Sequence, residues 1–427
     1  MEFQLKPEML LGAASAATQI EGGDKNNNWY DWYQKGHIKD GSDPSVATMH
    51  YELWREDLQL MQDMKIQCYR FGVEWSRIEP EEGVFDEAVI ARYREEIQAM
   101  VDAGIRPLLT LHHFNNPMWL EEKGAFLVRD NTRYFLRFVR KMVESVGDLV
   151  SEYITINEPN VYAFNGYFTG DWPPGKRNLK DMIAVMTNLA AAHIAAYGLI
   201  RKIRYQRGYR DTKVSFANHL RVFTPKNDKN PIHRFWAEAV ERVFQGALTK
   251  AMVLGQVELP IGRHPGIVPG NYCDFHAINY YSRSTVSGPA DGVADHGPVN
   301  DLGWEIYPAG IVETARKMYD LLPRPIWVTE NGTCDNTDAF RARYIAEHLM
   351  ALSFSDLPVE RYYHWCFCDN FEWIEGNSAR FGLVHVDYDT QQRTVKNSGE
   401  FYRRVIENGG VTREMWDEYC DVEYHCK

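Results

Sequence analysis

Cysteine is scarce in this chain: there are seven in 427 residues, and none belongs to a CxxC pair. They fall at 68, 273, 334, 366, 368, 420 and 426, a scattered and odd-numbered set that predicts neither a disulfide framework nor a cysteine metal site. Reduced thiols in a cytoplasmic protein are the expectation. Clustered basic stretches are lacking as well. Lys plus Arg number 47 against 59 Asp plus Glu, a formal net charge of −12. Neutralising a phosphate backbone takes grouped Lys and Arg, so nucleic acid is not an expected partner. Residues 182–200 carry no Asp, Glu, Lys or Arg, but they hold Thr187, Asn188, His193 and Gly198 among alanines. A buried helix fits that run better than a membrane span, so no membrane partner is expected. The apolar start at 9–17 has no basic leader, because Glu2 and Glu8 outweigh Lys6, and a signal peptide is not expected. No Gly/Ser/Pro-rich linker and no internal repeat divides the chain, which predicts one domain over 1–427.

Aromatic residues, by contrast, reach 13% (12 Trp, 24 Tyr and 20 Phe), enough to fill a large core or line a pocket. Short β-branched or aromatic runs lie at 10–15, 66–71, 106–111, 153–156, 213–217, 275–279, 325–329 and 362–367. Amphipathic stretches at 51–64, 87–103, 132–146, 182–203, 232–254, 308–321, 339–352 and 399–407 alternate with them. Eight strands each followed by a helix predict an α/β fold, a single (β/α)8 TIM barrel. That fold usually takes about 250 residues, so the excess belongs to long βα loops forming a deep pocket at the C-terminal face.

The expected strand ends carry polar groups that are costly to bury without a task. The third ends in His112-His113-Phe114, the fourth in Asn157-Glu158-Pro159, the sixth in Asn279-Tyr280-Tyr281 and the seventh in Glu330-Asn331-Gly332. Trp365 closes the eighth, and Asp369 to Trp373 follow. Glu158 and Glu330 are the natural pair, since strands four and seven face across the ring. Cleaving an acetal takes one acid to protonate the leaving oxygen and one carboxylate at the anomeric carbon. Each carboxyl also raises the pKa of the other, which keeps a proton donor loaded near neutrality. An isolated strand-end Glu is more often a solvated charge or an ion pair; the company of several polar ends argues otherwise. His112 and His113 raise a metal-hydrolase alternative. Adjacent residues on a strand point to opposite faces, so two such histidines are poorly placed for one ion, and no metal is expected.

The segments TINEPN (155–160) and VTENG (328–332) resemble the catalytic signatures of family 1 glycoside hydrolases, the β-glucosidase family. Further matches are ATQIEGG (17–23), YRFGVEWSRIEP (69–80), TLHHF (110–114), GYFTGDWPPG (166–175) and INYY (278–281). GWEIYP (303–308), DNFEWIEG (369–376) and RFGLVHVDY (380–388) complete the series. The resemblance implies a retaining β-glycosidase without a cofactor. Its partner would be a small β-glucoside or oligosaccharide, with galactose and fucose still open as the sugar. By position, Glu158 would be the general acid/base and Glu330 the nucleophile, supported by Arg70, Tyr281 and Asn279. Asn157 would bond the sugar 2-hydroxyl; Gln19, His113 and Trp373 would take the 3- and 4-hydroxyls, and Glu372 the 4- and 6-hydroxyls. Trp365 would be the platform under the ring and Phe381 would close the pocket wall. Trp172, Asn218, His219 and Trp304 are candidates for the aglycone wall.

The sequence also departs from the family pattern. Phe114-Asn115-Asn116 stands where the family usually has Trp-Asp, which reshapes the pocket rim. The presence of Glu158 favours O-glycosides over thioglycosides. The stretch Asn377-Ser378-Ala379-Arg380-Phe381 lacks the Ser-Lys-Tyr clamp of the family's phospho-glycosidases. A phospho-β-glycosidase and a catalytically silent sugar-binding barrel are the alternatives; retention of both glutamates argues against the second. Residues 282–302 are expected to form a trimmed loop, and 411–427 to pack across the base of the barrel.

Overall fold

The computed structural model describes residues 1–426. Eight strands build the barrel. β1 is Leu10–Ala14, β2 Cys68–Gly72, β3 Arg106–Thr110 and β4 Glu152–Asn157. β5 is Lys213–Pro225, β6 His276–Val286, β7 Ile326–Asn331 and β8 Val359–Trp365. Neighbours pair in parallel from β1 through β6, β7 bonds both β6 and β8, and β8 returns to β1, so the ring closes. Closure removes the exposed edges, and every strand buries its apolar side chains on both faces.

The helices coat this ring with one apolar face each. Helix Thr132–Val146 buries Tyr134, Phe135, Phe138, Val139, Met142, Val143 and Val146, a 3–4 spacing that puts all seven on one side. It packs against helix Leu179–Gln206, which starts where the Asn178 side chain accepts from the amides of Lys180 and Asp181. The latter helix is long and apolar enough to cross a membrane, yet 67% of its apolar window is buried inside the protein. The barrel strands and helices fall within a few residues of their sequence positions, with three differences that bear on the site.

The expected single helix at 232–254 is interrupted. It runs as Pro231–Glu241, a π-helical turn Arg242–Gly246, and then Ala247–Leu254. A second π-helical segment, Phe164–Thr169, follows the short helix after β4. Next, β5 and β6 do not stop at 217 and 279. They rise above the barrel rim as a ribbon in which Val222 pairs with Arg283 and Pro225 with Val286. Part of the expected loop at 282–302 is therefore strand, extended by a hairpin in which Thr285 pairs with Gly292.

The third difference lies in the tail. Gly410–Val411 pairs with Phe3–Gln4 at the base, as expected, but the remainder leaves it. After helix Arg413–Tyr419 the chain climbs to the opposite rim, where His425–Cys426 pairs with Pro298–Val299. Val422 and Tyr424 supply the reason: they cover a separate apolar cluster of Ile306, Phe340 and Tyr344.

Candidate active site

Glu330 ends β7 and is nearly fully buried. The Arg70 guanidinium on β2 donates to its Oε1 at 2.5 Å, and the Tyr281 hydroxyl on β6 donates to its Oε2 at 2.5 Å. Arg70 also donates to Asn157 Oδ1 at 2.6 Å and to Thr110 Oγ1 at 3.1 Å, so one planar cation ties together the ends of β2, β3, β4 and β7. A lysine could not hold this fork-shaped set of acceptors. Gly332, just beyond β7, is required by a close approach: a Cβ there would lie 1.8 Å from the carbonyl oxygen of Trp365.

Glu158 follows β4 with a backbone φ of 40°, a left-handed turn that starts the next helix at Pro159. Its Oε1 accepts from Asn279 Nδ2 at 2.8 Å and from His219 Nδ1 at 3.0 Å. Asn279 donates to Asn157 as well, at 3.0 Å, and its own oxygen accepts from Thr329 at 2.7 Å. A short chain of bonds thus connects the two carboxyls: Glu330, Arg70, Asn157, Asn279, Glu158. The geometry also orients His219. Arg221 Nε lies 3.1 Å from His219 Nε2, which turns Nδ1 to donate to Glu158.

Burial disfavours charge on both glutamates. In Glu330, Arg70 opposes it and the charge of Glu158 reinforces it, and the carboxyl is pushed up to about 7. In Glu158, burial is outweighed by the neighbouring His219 and by the His219 and Asn279 hydrogen bonds, which hold the group low. The pair therefore titrates as a unit and shares one proton through the neutral range.

A pH-dependent prediction follows from this arrangement. His219→Phe keeps a ring over Tyr281, 5.9 Å away in the native stack, but removes a donor to the ionised form of Glu158. Losing that donor raises the affinity of Glu158 for its proton, so the alkaline limb of the kcat/KM profile is expected to move to higher pH. An unmoved limb with only a raised KM would assign His219 to the wall alone.

His113, Asn157, Glu158, Tyr281, Glu330, Trp365, Glu372 and Trp373 line one cavity of about 730 Å³, joined at its outer end by Trp172, His219 and Trp304. Trp365 and Trp373 each stack near His113, with centroids 5.9 and 5.8 Å away. Burial and the charge of Glu330 push Glu372 up to about 8. Arg70 and Asn279 stand one layer behind the lining; Gln19, buried beside it, donates to Asn370 at 3.1 Å and to Glu372 at 3.3 Å. His112 faces the other way, bonded to Asn116 at 2.9 Å and packed against Phe126 and Tyr162, so the two histidines diverge.

Two expectations are corrected. Phe381 does not close the wall; it is buried behind it, 5.9 Å from Trp304 and 6.5 Å from Tyr281. Asn218 does not reach the aglycone side. It points outward from β5 to Thr249 Oγ1 at 2.8 Å, because alternation along the strand sends it opposite to its neighbour His219. The Phe114-Asn115-Asn116 departure also finds its place. Phe114 lines the cavity 4.9 Å from Trp172, whereas Asn115 donates to Glu74 and Asn116 to Glu121 and Tyr162, within the surrounding loops. The sequence reading missed Phe164, Phe168, Phe223, Val243 and Phe244, which form the outer wall. Four of the five lie in the two π-helical segments, whose wider turns escape a 3.6-residue pattern.

A (β/α)8 barrel carrying two buried, linked carboxyls and stacked indoles in one cavity at its C-terminal face defines a glycoside hydrolase. Comparison with known proteins agrees. The model of glycosyl hydrolase family 1 matches residues 1–259 and 271–411. β-Glucosidase A of Thermotoga maritima is 30% identical over 96% of this chain and 100% of its own. A β-galactosidase of Pyrococcus woesei is 27% identical over 96% of this chain and 99% of its own. The solved β-glycosidase of Pyrococcus horikoshii superposes with a TM-score of 0.90 at 33% identity, covering 98% of both chains. The chain belongs to glycosyl hydrolase family 1.

Proposed function

We propose that the protein hydrolyses terminal, non-reducing β-D-glucosides with retention of anomeric configuration. The Glu330 carboxylate attacks the anomeric carbon, the bond to the aglycone oxygen breaks, and Glu158 passes its proton to that oxygen. Water then attacks the same carbon from the vacated side, Glu158 takes a proton from it, and the Glu330 ester is released. Asymmetric support of the pair carries this reading. A guanidinium and a phenol steady Glu330 as an anion, while His219 Nδ1 and the Asn279 amide hold Glu158 by Oε1 and leave Oε2 as the oxygen that moves the proton.

Sugar recognition rests on groups with capacity to spare. His113 Nδ1 and Gln19 Oε1 are buried and meet no protein partner among the described residues, which suits them to sugar hydroxyls. Asn157 is oriented toward a 2-hydroxyl role by Arg70 and His113, the latter 2.9 Å from its Nδ2. The stretch Asn377 to Phe381 supplies no Ser-Lys-Tyr clamp for a 6-phosphate, and an unphosphorylated sugar is preferred. A cytoplasmic setting suits the seven free thiols, six of them buried.

A panel of nitrophenyl glycosides assayed side by side tests the reading. The β-glucoside is expected to be cleaved, with β-galactoside and β-fucoside at comparable or lower rates and the α-glucoside untouched. Cleavage confined to 6-phospho-β-glucosides, or to α-anomers, would overturn it.

A further inference from the structure

Past the two glutamates the cavity changes character. Its outer half is walled by Phe164 and Phe168 from one π-helical segment, Val243 and Phe244 from the other, Phe223 on β5, and Leu302. The rings pack as a continuous surface, with centroids 5.6 Å apart for Phe164 and Phe244, 5.2 Å for Phe164 and Phe168, and 5.9 Å for Phe223 and Phe244. Several polar side chains in this region are already engaged. Thr169 donates to the Asn165 carbonyl, Arg221 to His219, and Glu375 pairs with Lys39; the Asn165 amide and the indole N–H groups of Trp172, Trp236 and Trp304 are the exceptions among the described residues. A second sugar seated here would surrender water from its hydroxyls to a wall with few partners to offer.

The apolar surface also continues outward. Phe168 is 42% exposed at the mouth, and Ile232 and Phe235 on helix Pro231–Glu241, beside the cavity residue Trp236, are 61% and 62% exposed. An apolar patch beside the mouth of a reaction centre marks a binding surface. A rigid ring system would use only its inner part, whereas a flexible chain follows all of it.

Resting on the β-glucosidase reading, we infer that the outer half binds an unbranched apolar chain. The aglycones it selects are then alkyl-type lipids joined through a β-O-glycosidic bond, in preference to a second sugar. Glucose release from n-alkyl β-D-glucosides, methyl to octyl, below their micelle concentrations, tests it, with cellobiose as the sugar-aglycone control. From butyl to octyl, kcat/KM is expected to rise about two- to fourfold per methylene, as partial to full burial of each CH₂ gives. Octyl glucoside should also exceed cellobiose. Phe168→Ser, and Phe168→Ser combined with Val243→Ser, should flatten the rise; both positions are at least a third exposed, so the fold is expected to tolerate them. A flat series, a preference for cellobiose, or an unchanged slope in the variants would overturn the inference. Hydrolysis of nitrophenyl β-glucoside with a flat alkyl series would remove the chain site alone, whereas failure on every β-glucoside would remove the catalytic reading with it.

Discussion

Glu330→Gly is expected to lower turnover by a factor on the order of 10⁴ or more, because it removes the atom that bonds to the sugar. The loss should appear in kcat and in kcat/KM alike, since both contain the first chemical step. Some loss of stability is also expected. Arg70 is fully buried, and without Glu330 its charge keeps only Asn157, Thr110 and the Thr329 carbonyl as partners. Circular dichroism at the assay temperature separates that effect from chemistry. Azide in the variant should occupy the space of the missing carboxylate, attack the anomeric carbon, and give an α-glucosyl azide while Glu158 still protonates the leaving group. Near-normal unassisted turnover in a folded Glu330→Gly protein would contradict the nucleophile assignment.

Glu158→Gln is expected to split substrates by leaving group. Gln preserves the volume and can still bond His219 and Asn279, but it has no proton to give. An alkyl alcohol leaves only if protonated, so kcat/KM on alkyl glucosides should fall by about 10²–10⁴. A dinitrophenolate leaves unaided, so kcat/KM on its glucoside should hardly change. Its kcat should drop nonetheless, because hydrolysis of the Glu330 ester needs Glu158 as a base, and a burst of phenol should precede the slow steady state. Equal losses on both substrates would remove Glu158 from the acid role.

Much of this was legible in the sequence because apolar runs and helical periodicity follow directly from burial. The eight strands, their order and the polar ends at Glu158, Tyr281 and Glu330 emerge from pattern alone, and the resemblance assigned their roles. What escaped depends on longer-range physics. Asn218 and His219 are adjacent, and one is a wall residue while the other is a helix contact; the alternation that separates His112 from His113 separates them too, once β5 is known to continue past Ala217. The bond between Arg221 and His219 turns Nδ1 toward Glu158, and no spacing rule reveals it. The π-helical turns shift Phe168 and Phe244 into the cavity against the periodicity used to find helices. The tail at Val422 to Cys426 is too short and irregular to announce a partner at Pro298–Val299, 120-odd residues earlier in the chain.

The central claim is that Glu330 becomes covalently bonded to the sugar. An activated 2-deoxy-2-fluoro-β-glucoside tests it most directly, since fluorine destabilises the cationic transition states of both steps while a good leaving group restores the first. The account predicts time-dependent inactivation, one fluoroglucosyl group per chain, and mass-spectrometric placement of that ester on Glu330 with Glu158 unmodified. An ester on any other residue, or turnover with inverted product and no label, would contradict it.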